Sequence, residues 1–320
     1  MSLVAGECES NSLICFLTIS VTVENDAGDS EDSGGSVLEM RGVYLAPAKI
    51  NLCLHVLGKR HDGYHVLAMA MQRVDLCDRI EIELSEGSGV TVFCGGVELA
   101  AGEENIAARA ARMVLSSAGR GCAVRIAIDK LIPVAAGLGG GSSDAATVLV
   151  ALDQMLGLGL GTTHLMELGL ELGADVPFFI FGRPAWATGV GERLEPLPPL
   201  PPICYLLVHP GFAVSTAWVY QSLQLTISDE LANVPRFSAG SSDELIGQLH
   251  NDLERVTIAA FPQIDQIKRL LLEHGALGAL MSGSGATVFG IFDDFRLARK
   301  VGETLTEQFG WRTFPVRPMP

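Results

Sequence analysis

Basic side chains are scarce in this chain. Its 320 residues hold 22 Lys and Arg against 37 Asp and Glu, and lysine occurs only at 49, 59, 130, 268 and 300. A net charge of −15 speaks against nucleic acid and anionic membrane as partners, because both need clustered cations to neutralise phosphates. Cysteine lacks pattern rather than number: Cys8, Cys15, Cys53, Cys77, Cys94, Cys122 and Cys204 form no C-x-x-C pair and no dense framework. Metal knuckles and a secreted disulfide scaffold are therefore not expected, and a reducing cytoplasm is. Long apolar runs are missing too. The stretch from Leu13 to Val23 is shorter than the roughly 20 residues that cross a bilayer, and acids rather than bases precede it, so neither a signal peptide nor a membrane span is expected. No internal repeat is visible.

What is present is a hydrophobic fraction of 48% with only 18% charged residues, the composition of a chain that folds compactly. The length suggests two domains at roughly 100–200 residues each. Residues 1–39 hold eight acids and no Lys or Arg, and 24–39 are rich in Gly and Ser. Such a segment buries too little to offset its ordering entropy, so 1–39 is expected to be a flexible acidic tail. Five of the fifteen prolines fall between Pro196 and Pro202, which reads as a stiff linker between domains at 40–196 and 203–320.

Period-two alternation over 43–56 predicts a strand with Ile50, Leu52 and Leu54 on one face and Lys49, Asn51 and His55 on the other. Strands are expected at 79–84, 89–94 and 122–130 and a helix at 104–117. In the second half strands are expected at 203–208, 286–292 and 312–316, and helices at 215–224, 244–256, 262–273 and 294–308. The sequence IPVAAGLGGGSSDAA at 132–146 puts four glycines between Gly137 and Gly141, just before apolar residues at helical spacing. Ser142 or Ser143 is expected to cap that helix. A glycine loop entering a helix N-terminus lets backbone N–H groups approach an anion, so phosphate is the expected guest. It is not a Walker A loop, since Ser142 rather than Lys follows the last glycine, and Pro133 weakens a dinucleotide reading.

Lys49 lies inside the apolar run APAKINLCL at 46–54, where an ammonium needs an anionic partner. Asp175, the only charge between Glu171 and Arg183, is the candidate. A snorkelling lysine and a helix-capping aspartate are the competing readings.

The segments PAKINL at 47–52, GLGGGSSDAA at 137–146, LGADVPFF at 172–179 and SGSGATVFG at 282–290 together resemble the GHMP kinases in order and spacing. GKRHDGYHVL at 58–67, GVGE at 189–192 and HPG at 209–211 resemble the branch of that family whose acceptor carries a cytidine diphosphate group. The resemblance implies an α+β fold of two domains, an N-terminal domain of the ribosomal S5 domain 2 type and a ferredoxin-like C-terminal domain, with the active site in the cleft between them. It implies transfer of the ATP γ-phosphoryl group to the 2-hydroxyl of 4-diphosphocytidyl-2-C-methyl-D-erythritol in the non-mevalonate isoprenoid route. Catalysis would fall to Asp175 as base and to Lys49, which would keep Asp175 ionised and orient the acceptor. ATP would lie along Pro133, Val134, Ala135 and Ala136, then Gly137, Leu138, Gly139, Gly140 and Gly141, then Ser142 and Ser143, with Asn105 near the adenine. The acceptor would meet Asn51 and Thr216 at its sugar-alcohol end, and Tyr64, His65 and Tyr220 at the cytosine. Mg²⁺ is expected with ATP, without a D-x-D cluster to name its ligands. A small-molecule partner, no membrane, and a monomer or homodimer complete the expectation. A GHMP kinase for homoserine or mevalonate, and a non-catalytic sensor on the same fold, are the alternatives. Gly63 to His65 speaks against the first, and the presence of both Lys49 and Asp175 against the second.

Overall fold

Between Ala46 and Leu54 only Lys49 and Asn51 interrupt the apolar residues, the near-continuous pattern of a strand covered on both sides. In the computed structural model, which describes residues 16–24, 37–95, 104–119, 121–223 and 234–320, that run lies within a long strand and every residue from Ala48 to Leu54 is buried. The chain divides into two compact units, each assembled from three segments. The first takes Met1–Ala46, Cys77–Leu131 and Gly141–Gly182, and the second takes Pro47–Leu76, Ile132–Gly140 and Arg183–Pro320. The second unit thus draws on segments from both sides of the proline run.

In the first unit β1 (Phe16–Glu24) pairs antiparallel with the start of β2 (Val37–Lys59), from Glu24↔Val37 to Phe16↔Tyr44. Part of the segment expected to be a flexible tail is therefore strand, and the rest of it lies outside the described residues. The second half of β3 (His65–Ser85), β4 (Gly89–Cys94), α1 (Ile106–Ala118) and β5 (Ala123–Asp129) follow. β5 runs antiparallel to Arg79–Ser85 of β3 and parallel to β4. Val124, Ile126 and Ile128 are buried on one face of it, as period-two alternation demands. Helices α2 (Gly140–Leu156), α3 (Gly161–Leu172) and α4 (Val176–Phe181) complete the unit. The hydrophobic stripe of α2 is buried from Ala145 through Val148 and Leu149 to Leu152. α1 packs on β4 and α3, and α3 on α4.

In the second unit β6 (Ala185–Gly189) pairs with Leu67–Met71 of β3, and β7 (Arg193–Pro196) pairs with β6. Next come β8 (Cys204–His209), α5 (Thr216–Ser222), α6 (Ser242–Gly247), β9 (His250–Asn251), α7 (Glu254–Ala260) and α8 (Gln263–Glu273). β10 (Gly278–Met281), β11 (Val288–Phe292), α9 (Phe295–Phe309) and β12 (Arg312–Val316) close the chain. Strands β10, β11, β8 and β12 form an antiparallel sheet in that order, and α8 and α9 pack on it. The unit's core gathers Ile50, Leu52, Ile132, Leu138, Tyr205, Phe237 and Phe289. The proline run falls in this unit, and Leu197 and Leu200 between the prolines pack against that core.

One expected helix fails. The span 244–256 divides into α6, β9 and α7 because Cys53 and Leu54 of β2 take up His250 and Asn251 as a short parallel pairing. Among the described residues no helix is long and apolar enough to cross a membrane.

Candidate active site

The glycine loop owes its course to residues that Cβ-bearing side chains would disturb. Gly137 and Gly139 have φ of 78° and 70°, and a Cβ on Gly137 would stand 2.1 Å from the Ser282 carbonyl oxygen. Ala135 also takes a left-handed φ of 50°, a conformation costly for a residue with a side chain and often concentrated at functional sites. Four hydrogen bonds hold the loop within the second unit. Lys49 N–H donates to Leu138 O at 2.9 Å, Val214 N–H to Ala135 O at 3.4 Å, Thr287 N–H to Ala136 O at 3.2 Å and Ser282 Oγ to Gly137 O at 2.9 Å. Pro133 is buried, whereas Val134 stands 56% exposed. Because the turn is complete by Gly139, α2 starts at Gly140, so Ser142 and Ser143 sit inside its first turn and neither is the cap that the sequence suggested. Ser143 is fully buried and its Oγ has no hydrogen-bond partner.

Lys49 is 4% exposed, which rules out the snorkelling reading, and its Nζ donates to Oδ1 of the fully buried Asn51 at 2.7 Å. Asn51 Nδ2 faces Met69 Sδ at 3.6 Å. The period-two reading that pointed Lys49 and Asn51 the same way thus holds. Asp175 precedes α4 at its N-cap position, with φ −85° and no side-chain capping bond, so capping does not account for this carboxylate. Lys49 and Asp175 belong to different units.

Thr216 opens α5, with Ser215 as its cap, and its hydroxyl lies 2.8 Å from that of Ser284 in the turn 282–285. Tyr64 follows the Asp62–Gly63 turn and is 63% exposed, its N–H donating to Asp62 Oδ1. His65, the first residue of β3, stacks on Tyr220 with centroids 4.9 Å apart, so one face of Tyr220 carries an imidazole. Burial, and Lys59 after it, hold the His65 imidazole below its ordinary pKa, which keeps it neutral near pH 7. Asn105 is the cap of α1, with Oδ1 accepting from Ala107 N–H at 2.9 Å, so the structure accounts for it without a ligand.

Sequence reasoning missed two features. The first is the support of turn 282–285. Asn251 Nδ2 donates to Met281 O and Gly283 O at 2.8 Å each, Glu254 Oε1 accepts from Met281 N–H, and Thr257 Oγ1 donates to Ser284 O. The polar triplet His250–Asn251–Asp252 inside a span read as helix was the available signal. The second is a buried trio in the first unit. Lys130 Nζ donates to Asp78 at 2.5 Å and to Asp144 at 2.7 Å, and Asp78 also accepts from Leu131 N–H. Asp144 lies in the first turns of α2, directly after the paired serines. Burial pushes its carboxyl up to about 7, opposed by Lys130 and reinforced by Asp78.

Comparison with known proteins identifies the family. The family models "GHMP kinases N terminal domain" and "GHMP kinases C terminal" match residues 105–183 and 231–310. A 4-diphosphocytidyl-2-C-methyl-D-erythritol kinase of Syntrophotalea carbinolica is 58% identical over 276 residues, covering 86% of this chain and 98% of that protein. Its counterpart in Geobacter sp. strain M21 is 54% identical over 85% of this chain and 97% of its own length. A crystal structure of a 4-(cytidine 5'-diphospho)-2C-methyl-D-erythritol kinase superposes with a TM-score of 0.70 at 36% identity, over 87% of this chain and 99% of that one. The homoserine kinase of Cytophaga hutchinsonii reaches a TM-score of 0.69 at 20% identity, over 91% of this chain and 97% of that one, a likeness of fold. With the glycine loop, the buried Lys49 and the turn 282–285 in place and relatives of this identity matched nearly end to end, the chain belongs to the GHMP kinases.

Proposed function

We propose that this chain phosphorylates the 2-hydroxyl of 4-diphosphocytidyl-2-C-methyl-D-erythritol at the expense of ATP. The observation that carries the chemistry is the joining of the glycine loop to the Lys49 strand through Lys49 N–H and Leu138 O, which fixes an ammonium beside a loop suited to phosphate. The relatives carry the choice of acceptor, being 4-diphosphocytidyl-2-C-methyl-D-erythritol kinases by name at 58% and 54% identity.

In this reading the acceptor oxygen forms its bond to the γ-phosphorus as the bridging oxygen leaves with ADP. Asp175 receives the hydroxyl proton, and Lys49 supplies positive charge where negative charge gathers. Asn51 locks the Lys49 ammonium in place, since a donor already hydrogen-bonded at 2.7 Å needs little reorganisation. Phosphoryl transfer asks a protein mainly for positioning and charge stabilisation, which these groups offer. ATP phosphates would lie along 133–143, where Mg²⁺ bound with them would neutralise phosphate charge. The residues fit such a hard, oxygen-seeking guest, because Ser142 and Ser143 offer hydroxyls and the Ser143 Oγ is otherwise without a partner. Tyr64 and Tyr220 offer aromatic rings to the cytosine, and neutral His65 offers both a donor and an acceptor to its edge. Thr216 stands at the sugar-alcohol end.

The test is an ATP-dependent phosphorylation assay with the cytidylylated methylerythritol beside homoserine and mevalonate. Turnover confined to the first is expected. Comparable kcat/KM for either competitor would overturn the acceptor assignment.

A further inference from the structure

The pairing of β2 with β9 brings together three metal-ligating side chains that the kinase reaction does not use. Cys53 pairs with His250 in the parallel ladder, so His55, two residues beyond Cys53, shares a face with His250, and Asp252 continues that face two residues further on. The imidazoles of His55 and His250 stack with centroids 4.4 Å apart and planes 12° from parallel. Asp252 Oδ1 lies 2.8 Å from His250 Nε2. The aspartate is held on both sides of His55, because its N–H donates to Leu54 O at 3.0 Å and its Oδ2 accepts from Val56 N–H at 2.7 Å. One ligand atom from each of the three residues lies within 4.8 Å of the others. All three belong to the second unit, and His250 and Asp252 keep 47% and 34% of their side-chain surface exposed, so an ion can enter from solvent.

From this geometry we infer that His55, His250 and Asp252 form a binding site for a divalent first-row transition ion of the zinc class. Two imidazoles and one carboxylate suit such an ion, whereas Mg²⁺ prefers an all-oxygen shell, which separates this site from the ion that accompanies ATP. Tetrahedral ligation at about 2.0–2.1 Å places ligand atoms roughly 3.3 Å apart, so side-chain rotation has to close the present spacing by about 1.5 Å at most. Burial, with His250 adding to it and Asp252 opposing, holds His55 below its ordinary pKa and favours the neutral imidazole that ligates. Two protein ligands come from β9 and the residue just after it, and one from β2, so the ion ties the strands together. Between His250 and Asp252 sits Asn251, which pins Met281 O and Gly283 O of the turn against the glycine loop. Ion binding therefore stiffens the support of that turn from behind.

The test uses the full chain without a histidine tag, stripped with chelator and titrated with Zn²⁺ or Co²⁺ alone. One ion per chain is expected by calorimetry, with Co²⁺ giving visible d–d absorption and Zn²⁺ raising the thermal midpoint in a concentration-dependent way. Since loss of an outer-shell partner already weakens metal sites by about 10–100-fold, His250→Ala and His55→Gln should each weaken binding at least as much. His164→Ala, at an exposed histidine paired with Glu167, should leave it unchanged. An excess of Mg²⁺ should not compete. Absence of one-to-one binding, or binding that survives both His250→Ala and His55→Gln, overturns the site.

Discussion

Among the described residues the Lys49 and Lys130 ammonium groups are both largely out of water. Lys49 keeps a buried amide as its near neighbour, while Lys130 is clasped between two carboxylates. Lys49 was legible in the sequence because it interrupts an apolar strand. Lys130 was not, because it lies just past the end of β5, where a lysine ordinarily faces solvent. Asp175→Asn tests the proposed base: kcat should fall by on the order of 10²–10⁴ with KM for ATP nearly constant, and an unchanged kcat in steady-state assays would remove Asp175 from the mechanism. The trio makes a prediction about pH. Asp144 is raised to about 7 when folded, whereas an unfolded aspartate titrates near about 3.9. Between those values the folded state holds a proton the unfolded state has released, so this residue's contribution to stability is full below about pH 4, declines as pH rises, and levels off above about pH 7. Urea midpoints of wild type and Asp144→Asn measured across that window should show the variant's profile flatter by that amount. Parallel profiles would place the titration elsewhere.

At the scale of elements, the glycine loop, the turn 282–285 and β9 form a chain of support in which each piece needs the next. The loop was evident from its glycine density, and the phosphate binding proposed for it rests on backbone donors that glycine leaves uncovered. The reason Gly137 must be glycine was hidden until Ser282 was placed against it, 145 residues away in sequence. Gly137→Ala combines a left-handed φ with a Cβ at 2.1 Å from a carbonyl oxygen, so the loop has to shift. Stability should drop by at least about 1–3 kcal/mol, the cost of such backbone strain, and KM for ATP should rise more than KM for the acceptor. Equal stability by chemical denaturation would show that the loop yields freely. The helix expected over 244–256 failed for a reason of the same kind, since local propensity loses where Asn251 satisfies two buried carbonyls in a neighbouring turn.

At the scale of the molecule, β1 adds a strand to the edge of β2, and among the described residues no further strand lies beyond it in the sheet order. Deleting residues 1–36 removes that pairing without touching the glycine loop, Lys49 or Asp175. Activity should persist, while the uncovered edge of β2 should promote self-association, visible as a concentration-dependent mass in light scattering. Loss of activity in a monomeric, folded deletion variant would contradict this.

What the sequence determined by itself is what depends on local chemistry: the strands and helices with clear periodicity, the glycine-rich turn that enters a helix at 137–143, the unusual placement of Lys49, and membership of the GHMP kinases through four spaced motifs. Tertiary structure alone decided what depends on residues far apart. It set the two units built from alternating segments, the burial of Lys130 between Asp78 and Asp144, the packing of Leu197 and Leu200 on the core and the meeting of His55 with His250. The physical reason is range. Hydrogen-bond periodicity and backbone freedom act over a few residues and are written in sequence order, whereas burial and charge pairing act through space, where residues such as 55 and 250 become neighbours only once β9 has docked on β2.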